Sequence, residues 1–304
     1  MAMDRFGRKV TTLRASITEA CNLNCIYCHR EGASTSGSIE LGSRQLRLAV
    51  EAAHRVGVSR VKLTGGEPLL RRDVVALVEA AASVEGIMDV SMTTNGTLLA
   101  RLASSLIEAG LRRVNVSLPS LKPERYRYIT GCDALDMVKE GLAAAVDAGL
   151  EPVKMNVVML KGVNEDEVQG LIDYASKVPA ILQLIELERL GRASSSLYDE
   201  LHLDLSEVER QLEQQASKVV FRGLHNRRKY VLPTGQEVEV VRPFHARFCM
   251  GCNRLRLTAD GRLKPCLMRE DNAVSLIEAL AEGDLEECIR RFKVALELRE
   301  PYAP

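Results

Sequence analysis

Residues 11–28 read TTLRASITEACNLNCIYC, in which a short apolar run is followed almost at once by three cysteines. The run Thr11–Thr18 predicts a buried β-strand, and Cys21, Cys25 and Cys28 stand just beyond its carboxyl end. In folds built from alternating strands and helices, the chemistry gathers at the carboxyl ends of the strands. The three cysteines are therefore expected to stand where the chemistry of the chain takes place.

Strand-like runs alternate with helical patterns through the first two thirds of the chain. Five more apolar runs follow the first: Arg60–Thr64, Met88–Thr93, Arg113–Leu118, Val153–Leu160 and Ile181–Leu187. Apolar residues at three- and four-residue steps, such as Leu46 and Val50, predict helices between them. These helices are expected near Ser43–Val56, Arg72–Ala82, Leu98–Ala109, Ala134–Ala148 and Glu165–Lys177. We expect Ser43 to cap the first of them, and Gly110 and Gly149 to end two others.

Six strands alternating with helices predict an α/β fold of parallel βαβ units with right-handed crossovers. Six repeats favour a partial, incomplete TIM-type barrel over a closed eightfold one. After about residue 200 the pattern changes to a helix, short strand-like runs and a cysteine-rich segment. We interpret this part as a smaller C-terminal α+β domain, which gives two domains, 1–217 and 218–304.

Composition excludes several classes of protein. The 304 residues contain 41 Lys+Arg and 41 Asp+Glu, so the net charge is zero, which argues against a dedicated nucleic-acid-binding protein. No run approaches 18 consecutive apolar residues, so no membrane span is expected, and the N-terminus lacks an apolar signal core. The 8 cysteines favour metal or redox chemistry in a reducing cytoplasm over a disulfide framework. We therefore expect a cytoplasmic protein.

The first cysteine group has the spacing C-x3-C-x2-C. Thiolates favour zinc or iron–sulfur clusters. Structural zinc takes four protein ligands, and a 4Fe–4S cluster is normally held by four cysteines. Three cysteines leave a position open, which is typical of a site that binds a substrate or cofactor. A structural zinc site stays open as the alternative, with His29 as a fourth ligand.

The run from Cys21 to Cys28, with Tyr27 before the last cysteine, resembles the signature of the radical S-adenosylmethionine (SAM) family. The resemblance implies a 4Fe–4S cluster on the three cysteines. Its open iron chelates the amino and carboxylate groups of SAM, and its reduction releases a 5′-deoxyadenosyl radical. The run Thr64–Pro68, TGGEP, resembles the GGEP motif of the same family, which contacts the SAM amino group. The SAM-binding residues implied are Tyr27, Gly66, Ser117, Asn156 and Glu188.

A second group of three cysteines lies near the C-terminus: Cys249, Cys252 and Cys266. Their spacing is C-x2-C-x13-C, and a zinc site with His245 as the fourth ligand is an open alternative. Directly after the pair, Arg254 and Arg256 alternate with leucines. A strand would place both guanidiniums on one face, where they could clamp phosphate oxygens.

From about Arg5 to Arg291 the chain resembles the radical SAM GTP 3′,8-cyclases, the molybdenum cofactor biosynthesis protein A family. The resemblance implies conversion of GTP to (8S)-3′,8-cyclo-7,8-dihydroguanosine 5′-triphosphate, the first step of molybdenum cofactor (molybdopterin) biosynthesis. It also implies a second 4Fe–4S cluster on the C-terminal cysteines, whose open iron binds guanine. An electron donor is a further implied partner, and the next enzyme of the pathway and a second copy of the chain are candidates. The GTP-binding residues implied are Arg14, Lys62, Thr93, Lys154, Arg254 and Arg256.

The chain departs from the family pattern at several positions. Gln183, Glu188 and Arg189 stand where many members have Arg, Met and Asp, and Lys62 replaces an Arg. The Gly-Gly ending of many members is also missing.

Two other classes of function stay open on the sequence. One is a radical SAM enzyme with an auxiliary cluster that acts on another substrate, such as a peptide. The other is a zinc-binding protein or electron carrier. Cys132 and Cys288 lie outside both groups, and we interpret them as structural.

Overall fold

The computed structural model describes residues 3–29, 40–194, 196–223, 227–243, 246–269 and 271–301. His245, the candidate fourth zinc ligand, lies outside the described residues, as do residues 302–304.

The six predicted strands are confirmed, each with bounds within two residues of those expected. They are β1 (Thr12–Ser16), β2 (Arg60–Thr64), β3 (Asp89–Thr94), β4 (Arg113–Ser117), β5 (Val153–Met159) and β6 (Ile181–Glu186). They are hydrogen-bonded in sequence order, and every neighbouring pair is parallel. The mostly parallel α/β sheet confirms the fold class expected from the sequence.

Helices connect these strands: α1 (Ser43–Arg55), α2 (Val74–Ala82), α3 (Leu99–Glu108), α4 (Pro123–Thr130), α5 (Leu135–Asp147) and α6 (Val168–Lys177). The expected cap of α1 is wrong by one residue. Gly42 is the N-cap, because its amide donates to Gln45 Oε1 at 2.9 Å, and Ser43 is already helical. Gly110 and Gly149 follow α3 and α5 with φ of 101° and 91°, which confirms them as helix ends.

The C-terminal third continues the same sheet. Its elements are α7 (Ser196–Leu201), α8 (Ser206–Gln215), β7 (Lys218–Phe221), β8 (Arg228–Val231), β9 (Glu237–Val241), α9 (Ala246–Met250), β10 (Arg254–Leu257), β11 (Arg262–Lys264), β12 (Val274–Ser275), α10 (Ile277–Glu282) and α11 (Leu285–Glu297). The twelve strands found in the described residues form one sheet with the order β12-β11-β10-β1-β2-β3-β4-β5-β6-β9-β8-β7. β9 pairs with β6, and β10 pairs with β1, both in parallel. Consecutive strands β9 and β10 therefore lie at the two opposite edges of the six-stranded core.

The two faces of the sheet differ in polarity. On the outer face of the sheet, the side chains are fully buried in the apolar core: Leu13, Val61, Val114 and Leu182. Their neighbours in sequence point to the opposite face and are polar: Arg14, Lys62, Asn115 and Gln183. The barrel interior is therefore a polar space instead of a packed apolar core. The longest helices in the described parts of the chain have 13 residues, and none of them could cross a bilayer.

Candidate functional site

The first cysteine loop is pinned at several points after it leaves β1. The amides of Asn24 and Ile26 donate to the carbonyls of Thr130 and Ile129 at the end of α4, at 2.8 and 2.9 Å. On the other side, the amide of Arg192 donates to the Cys28 carbonyl at 3.1 Å. The loop is thus fixed between α4 and the segment that follows β6.

The three thiols of this loop influence one another. Burial raises the pKa of Cys25 to about 12, and the charges of Cys28 and Cys21 add to the effect. Burial also raises the pKa of Cys21. Three neighbouring thiolates in a half-buried loop need positive charge beside them, which a metal cluster supplies. The donor set therefore fits a cationic cluster.

Within the described residues, no three His, Cys, Asp or Glu side chains converge on a single metal position. In a 4Fe–4S cluster each cysteine binds a different iron, so a common position for one ion is not required.

The loop at the end of β2 packs directly on the first cysteine loop. The Gly66 amide donates to the Thr18 carbonyl at 2.8 Å, and the Glu67 amide donates to the Ala20 carbonyl at 2.7 Å. A Cβ atom at Gly66 would lie 2.2 Å from the Ala20 oxygen, so no side chain fits there. Gly66 thus permits the close approach of the two loops.

Glu67, the acidic residue of the TGGEP run, is a positioning residue, a role that the motif alone did not indicate. Its fully buried carboxylate accepts hydrogen bonds from the Thr94 hydroxyl and the Asn95 amide, both at 2.6 Å. The Asn95 side chain in turn donates to Asn22 Oδ1 at 2.8 Å, one residue from Cys21. Glu67 thereby ties the ends of β2 and β3 to the first cysteine loop.

The other residues implied to bind SAM lie on or after neighbouring strands. Ser117 is the last residue of β4, its register partner Asn156 is the central residue of β5, and both are half-buried. Glu188 follows β6 by two residues, and its Oε2 is buried without a hydrogen-bond partner among the described residues. A buried carboxylate oxygen without a hydrogen-bond partner lowers the stability of the folded chain. A ligand that donates a hydrogen bond to this oxygen would remove that penalty. Tyr27 is half-buried, and desolvation raises the pKa of its hydroxyl well above the usual range.

The residues implied to bind GTP share the inner face of the sheet: Arg14 on β1, Lys62 on β2, Thr93 on β3, Lys154 on β5, and Arg254 and Arg256 on β10. Burial lowers the pKa of Lys62 well below its usual value, and the charges of Arg14 and Arg254 lower it further. Burial, Arg14, Arg227 and Arg256 lower the pKa of Arg254 to about 9. These shifts mark a region of excess positive potential that a bound anion would relieve.

A row of hydrogen bonds crosses the interior from β2 to β9. Lys62 Nζ donates to Asn115 Oδ1 at 2.6 Å, and Asn115 Nδ2 donates to Gln183 Oε1 at 3.0 Å. Gln183 then donates to Glu239 of β9, which also accepts from Lys154 Nζ at 2.7 Å. Glu239 was not expected from the sequence, because no local pattern distinguishes it.

The second cysteine group is brought together by a hairpin. Cys249 and Cys252 directly precede β10, and Cys266 follows β11. Antiparallel pairing of β10 with β11 returns the chain to the start of β10, so Cys266 comes back beside the pair. Burial raises the pKa of Cys266, and the charges of Cys252 and Cys249 add to it. At Cys252 burial also raises the pKa, but Arg299 and Arg254 outweigh it and the net shift is downward.

Both ends of the described chain hold this second group through Asp4, Arg8 and Arg299, which we call the Asp4 clasp. Asp4 Oδ2 accepts from Arg8 Nε and from Arg299 Nη1, both at 2.7 Å. Arg8 Nη1 donates to the Cys249 carbonyl at 3.1 Å, and Arg299 Nη2 donates to the Cys252 carbonyl at 2.9 Å. The clasp thus fixes the backbone that carries two of the three cysteines.

The two cysteine groups stand at opposite ends of β1. The first follows the carboxyl end of the strand. The second lies beside its amino end, where the amides of Thr11 and Thr12 donate to the Asn253 carbonyl at 3.0 and 3.2 Å. A five-residue parallel strand spans about 16 Å. The cationic inner face of the sheet therefore lies between the two groups.

Comparison with known protein families agrees with this arrangement. Residues 15–175 match the model of the radical SAM superfamily, and residues 180–303 match the model called Molybdenum Cofactor Synthesis C. The chain belongs to the radical SAM superfamily and is an α/β enzyme of that class.

Relatives of the chain identify its family within the radical SAM superfamily. The chain is 45% identical to the probable GTP 3′,8-cyclase of Methanothermobacter thermautotrophicus over 98% of both chains. It is also 45% identical to the probable GTP 3′,8-cyclase of Pyrococcus abyssi over 99% of both. The chain belongs to this family.

Solved structures support the fold. SuiB of Streptococcus suis bound to S-adenosylmethionine superimposes with a TM-score of 0.67 at 15% identity, covering 91% of this chain and 65% of that one. The enzyme anSMEcpe with bound AdoMet gives a TM-score of 0.56 at 17% identity, covering 91% of this chain and 80% of that one.

Proposed function

We propose that the chain converts GTP to (8S)-3′,8-cyclo-7,8-dihydroguanosine 5′-triphosphate with SAM as co-substrate, in the first step of molybdenum cofactor biosynthesis. The observation that carries the proposal is the cationic inner face of the sheet, with a three-cysteine group at each end. Such a space suits a long anionic nucleotide better than a neutral peptide.

Cys21, Cys25 and Cys28 would hold one 4Fe–4S cluster, and the C-terminal cysteines would hold the second. When bound, the first cluster supplies the electron that cleaves SAM, and the second offers an open iron to guanine. The contribution of the chain is to present thiolates, to keep the loops in place and to keep water out. An external electron donor completes the set of partners.

At the first site, the residues around Cys21–Cys28 would orient SAM. The Gly66 amide is committed to Thr18, so Gly66 would meet the SAM ammonium with its carbonyl oxygen. The orphaned Oε2 of Glu188 would accept from a hydroxyl or amino group of SAM. Ser117 and Asn156 add polar groups as register partners on the neighbouring strands β4 and β5.

In the interior, the basic side chains would bind the triphosphate. GTP carries about four negative charges, and a neutral protein must gather cations locally to match them. Arg14, Lys62 and Arg256 are neighbours in register on three adjacent strands, with Arg254 one step away on the same face. With the phosphates held there and guanine at the second cysteine group, the ribose 3′ carbon would face the SAM site. Holding the two reacting partners in contact provides much of the rate enhancement of such reactions.

The test is anaerobic turnover of the protein reconstituted with iron and sulfide. SAM, a strong reductant and GTP are added, and the products are analysed by mass spectrometry. We expect 5′-deoxyadenosine together with an isomer of GTP. Formation of 5′-deoxyadenosine without the isomer would remove GTP as the substrate. If neither forms in a preparation that holds both clusters and binds SAM, the proposal fails.

A further inference from the structure

The hairpin of β7 and β8 brings two arginines to the interior from outside the six-stranded core. Arg222 directly follows β7 and Arg227 directly precedes β8, and the Arg222 amide donates to the Arg227 carbonyl at 2.8 Å. Antiparallel pairing of Lys229 with Glu239 places Arg222 and Arg227 near the carboxyl end of β9. Since β9 runs parallel to β6, the two arginines lie at the same end of the sheet as the carboxyl ends of the core strands.

Glu239 gathers these arginines with a lysine of the core. The carboxylate is fully buried, and it accepts from Lys154 Nζ at 2.7 Å and from an Arg222 guanidinium nitrogen. Arg227 Nη1 lies 4.0 Å from Glu239 Oε2, and Gln183 donates to the same oxygen. Burial alone would raise the pKa of Glu239, but Lys154, Arg222 and Arg227 lower it to about 2. Glu239 is therefore ionised at neutral pH.

One carboxylate faces three cations in this cluster, so positive charge is in excess. The cluster is also linked to Lys62 of β2 through side chains, because Gln183 donates to Glu239 and accepts from Asn115, and Asn115 accepts from Lys62 Nζ at 2.6 Å. Burial lowers the pKa of Arg227 itself, and the charge of Arg222 adds to that effect although Glu239 opposes it. The hairpin arginines thus belong to the same electropositive region as Lys154 and Lys62 of the core strands.

We propose that Arg222 and Arg227 bind the phosphates of the nucleotide, and that Glu239 holds them and Lys154 in place until the anion arrives. A carboxylate and a phosphate both present paired oxygens to a guanidinium, so the hydrogen bonds can pass from one to the other. A triphosphate carries several charges against the single charge of Glu239, so it competes successfully for the three cations. The inference rests on the proposed function and adds two phosphate ligands to it.

The test is equilibrium binding of GTP, and separately of inorganic tripolyphosphate, to the full-length chain under anaerobic conditions. We expect Arg222→Ala and Arg227→Ala each to weaken the binding of both ligands by about tenfold or more, because each removes a charged hydrogen bond. Arg228→Ala is the matched control. Arg228 is the next residue of the same hairpin but pairs with Glu213 at 2.9 Å, so both affinities should stay unchanged.

Glu239→Gln is expected to change the affinity for tripolyphosphate in the opposite direction from the arginine variants. The substitution keeps the shape of the side chain and removes the competing anion, so tripolyphosphate should bind at least several-fold more tightly than to the unmodified chain. Thermal unfolding shows whether Glu239→Gln is folded. If it is not folded, the binding measurements on Arg222→Ala and Arg227→Ala decide the question.

Failure of the inference and failure of the proposed function are distinguishable. If the unmodified chain binds GTP and tripolyphosphate, and Arg222→Ala and Arg227→Ala bind both with unchanged affinity, the inference is wrong and the proposed function stands. If the unmodified chain binds neither ligand, the proposed function fails, and the inference fails with it.

Discussion

Lys154 shows how a single buried cation can make nucleotide binding depend on pH. Burial lowers its pKa to about 8, although Glu239, whose charge and hydrogen bond raise it, opposes the shift. The group is therefore protonated at pH 7 and loses its proton as the pH rises through 8. A neutral amine no longer attracts phosphate, and bound phosphate would in turn raise the pKa of the lysine.

We predict that the affinity for GTP falls as the pH rises from 7 to 9. Equilibrium binding in a series of buffers at constant ionic strength measures this. Lys154→Arg keeps its charge over the whole range, so the fall should be smaller in that variant. An affinity of the unmodified chain that is constant between pH 7 and 9 would contradict the account.

At the scale of single residues, the sequence predicted the groups with a recognisable motif and missed those defined by long-range contacts. The cysteines and the TGGEP run have fixed spacings, so they could be found. Glu239 and Arg299 owe their positions to partners on other strands or at the other end of the chain. No local pattern marks such residues. The individual SAM and GTP contacts stay predictions.

At the scale of elements, strands that carry their own pattern were predictable and short ones were not. β2 has the bounds expected from its sequence. β11 and β12 have three and two residues, and they exist through pairing with β10 and with each other. α4 was missed because an eight-residue helix is too short to show a clear period.

The Asp4 clasp is an element-scale device that ties both ends of the described chain to the second cysteine group. Replacing Asp4 with Ala would leave the buried guanidiniums of Arg8 and Arg299 unpaired, and breaking such a pair costs about 3–5 kcal/mol. We predict that Asp4→Ala lowers the thermal unfolding temperature and lowers the iron content from about eight toward about four per chain.

Iron analysis after reconstitution and thermal unfolding measure the two effects. Arg291→Ala is the control, because Arg291 lies on the exposed side of α11 and pairs with Glu287 within the helix. Full iron content in Asp4→Ala would mean that the clasp does not hold the second site.

At the scale of the whole molecule, the sheet order explains why one chain can separate two cysteine groups. β9 and β10 extend the core sheet at its two edges, and the segment between them carries Cys249 and Cys252 to the amino end of β1. The sequence predicted the partial barrel and a change of pattern near residue 200. It could not show that the later strands join the same sheet, because pairing between distant strands has no local signal. The division at residue 217 stays a prediction.

Because the two cysteine groups are separated, substitutions in the two groups are expected to abolish different steps of the reaction. Cys25→Ala should abolish cleavage of SAM, because the electron enters through the first site. Cys252→Ala should retain SAM cleavage and lose formation of the GTP isomer. Chromatography of 5′-deoxyadenosine and of the nucleotide product in the same reaction distinguishes the two. The reverse pattern would mean that the roles of the two groups are exchanged.

The most direct test of the central claim follows one hydrogen atom. The reconstituted protein is given SAM, a reductant and GTP that carries deuterium at the ribose 3′ carbon, and the products are analysed by mass spectrometry. If the cationic interior holds GTP with this carbon toward the SAM site, deuterium will appear in 5′-deoxyadenosine and be missing from the nucleotide product. 5′-Deoxyadenosine without deuterium, formed while the label stays on the nucleotide, would contradict the account.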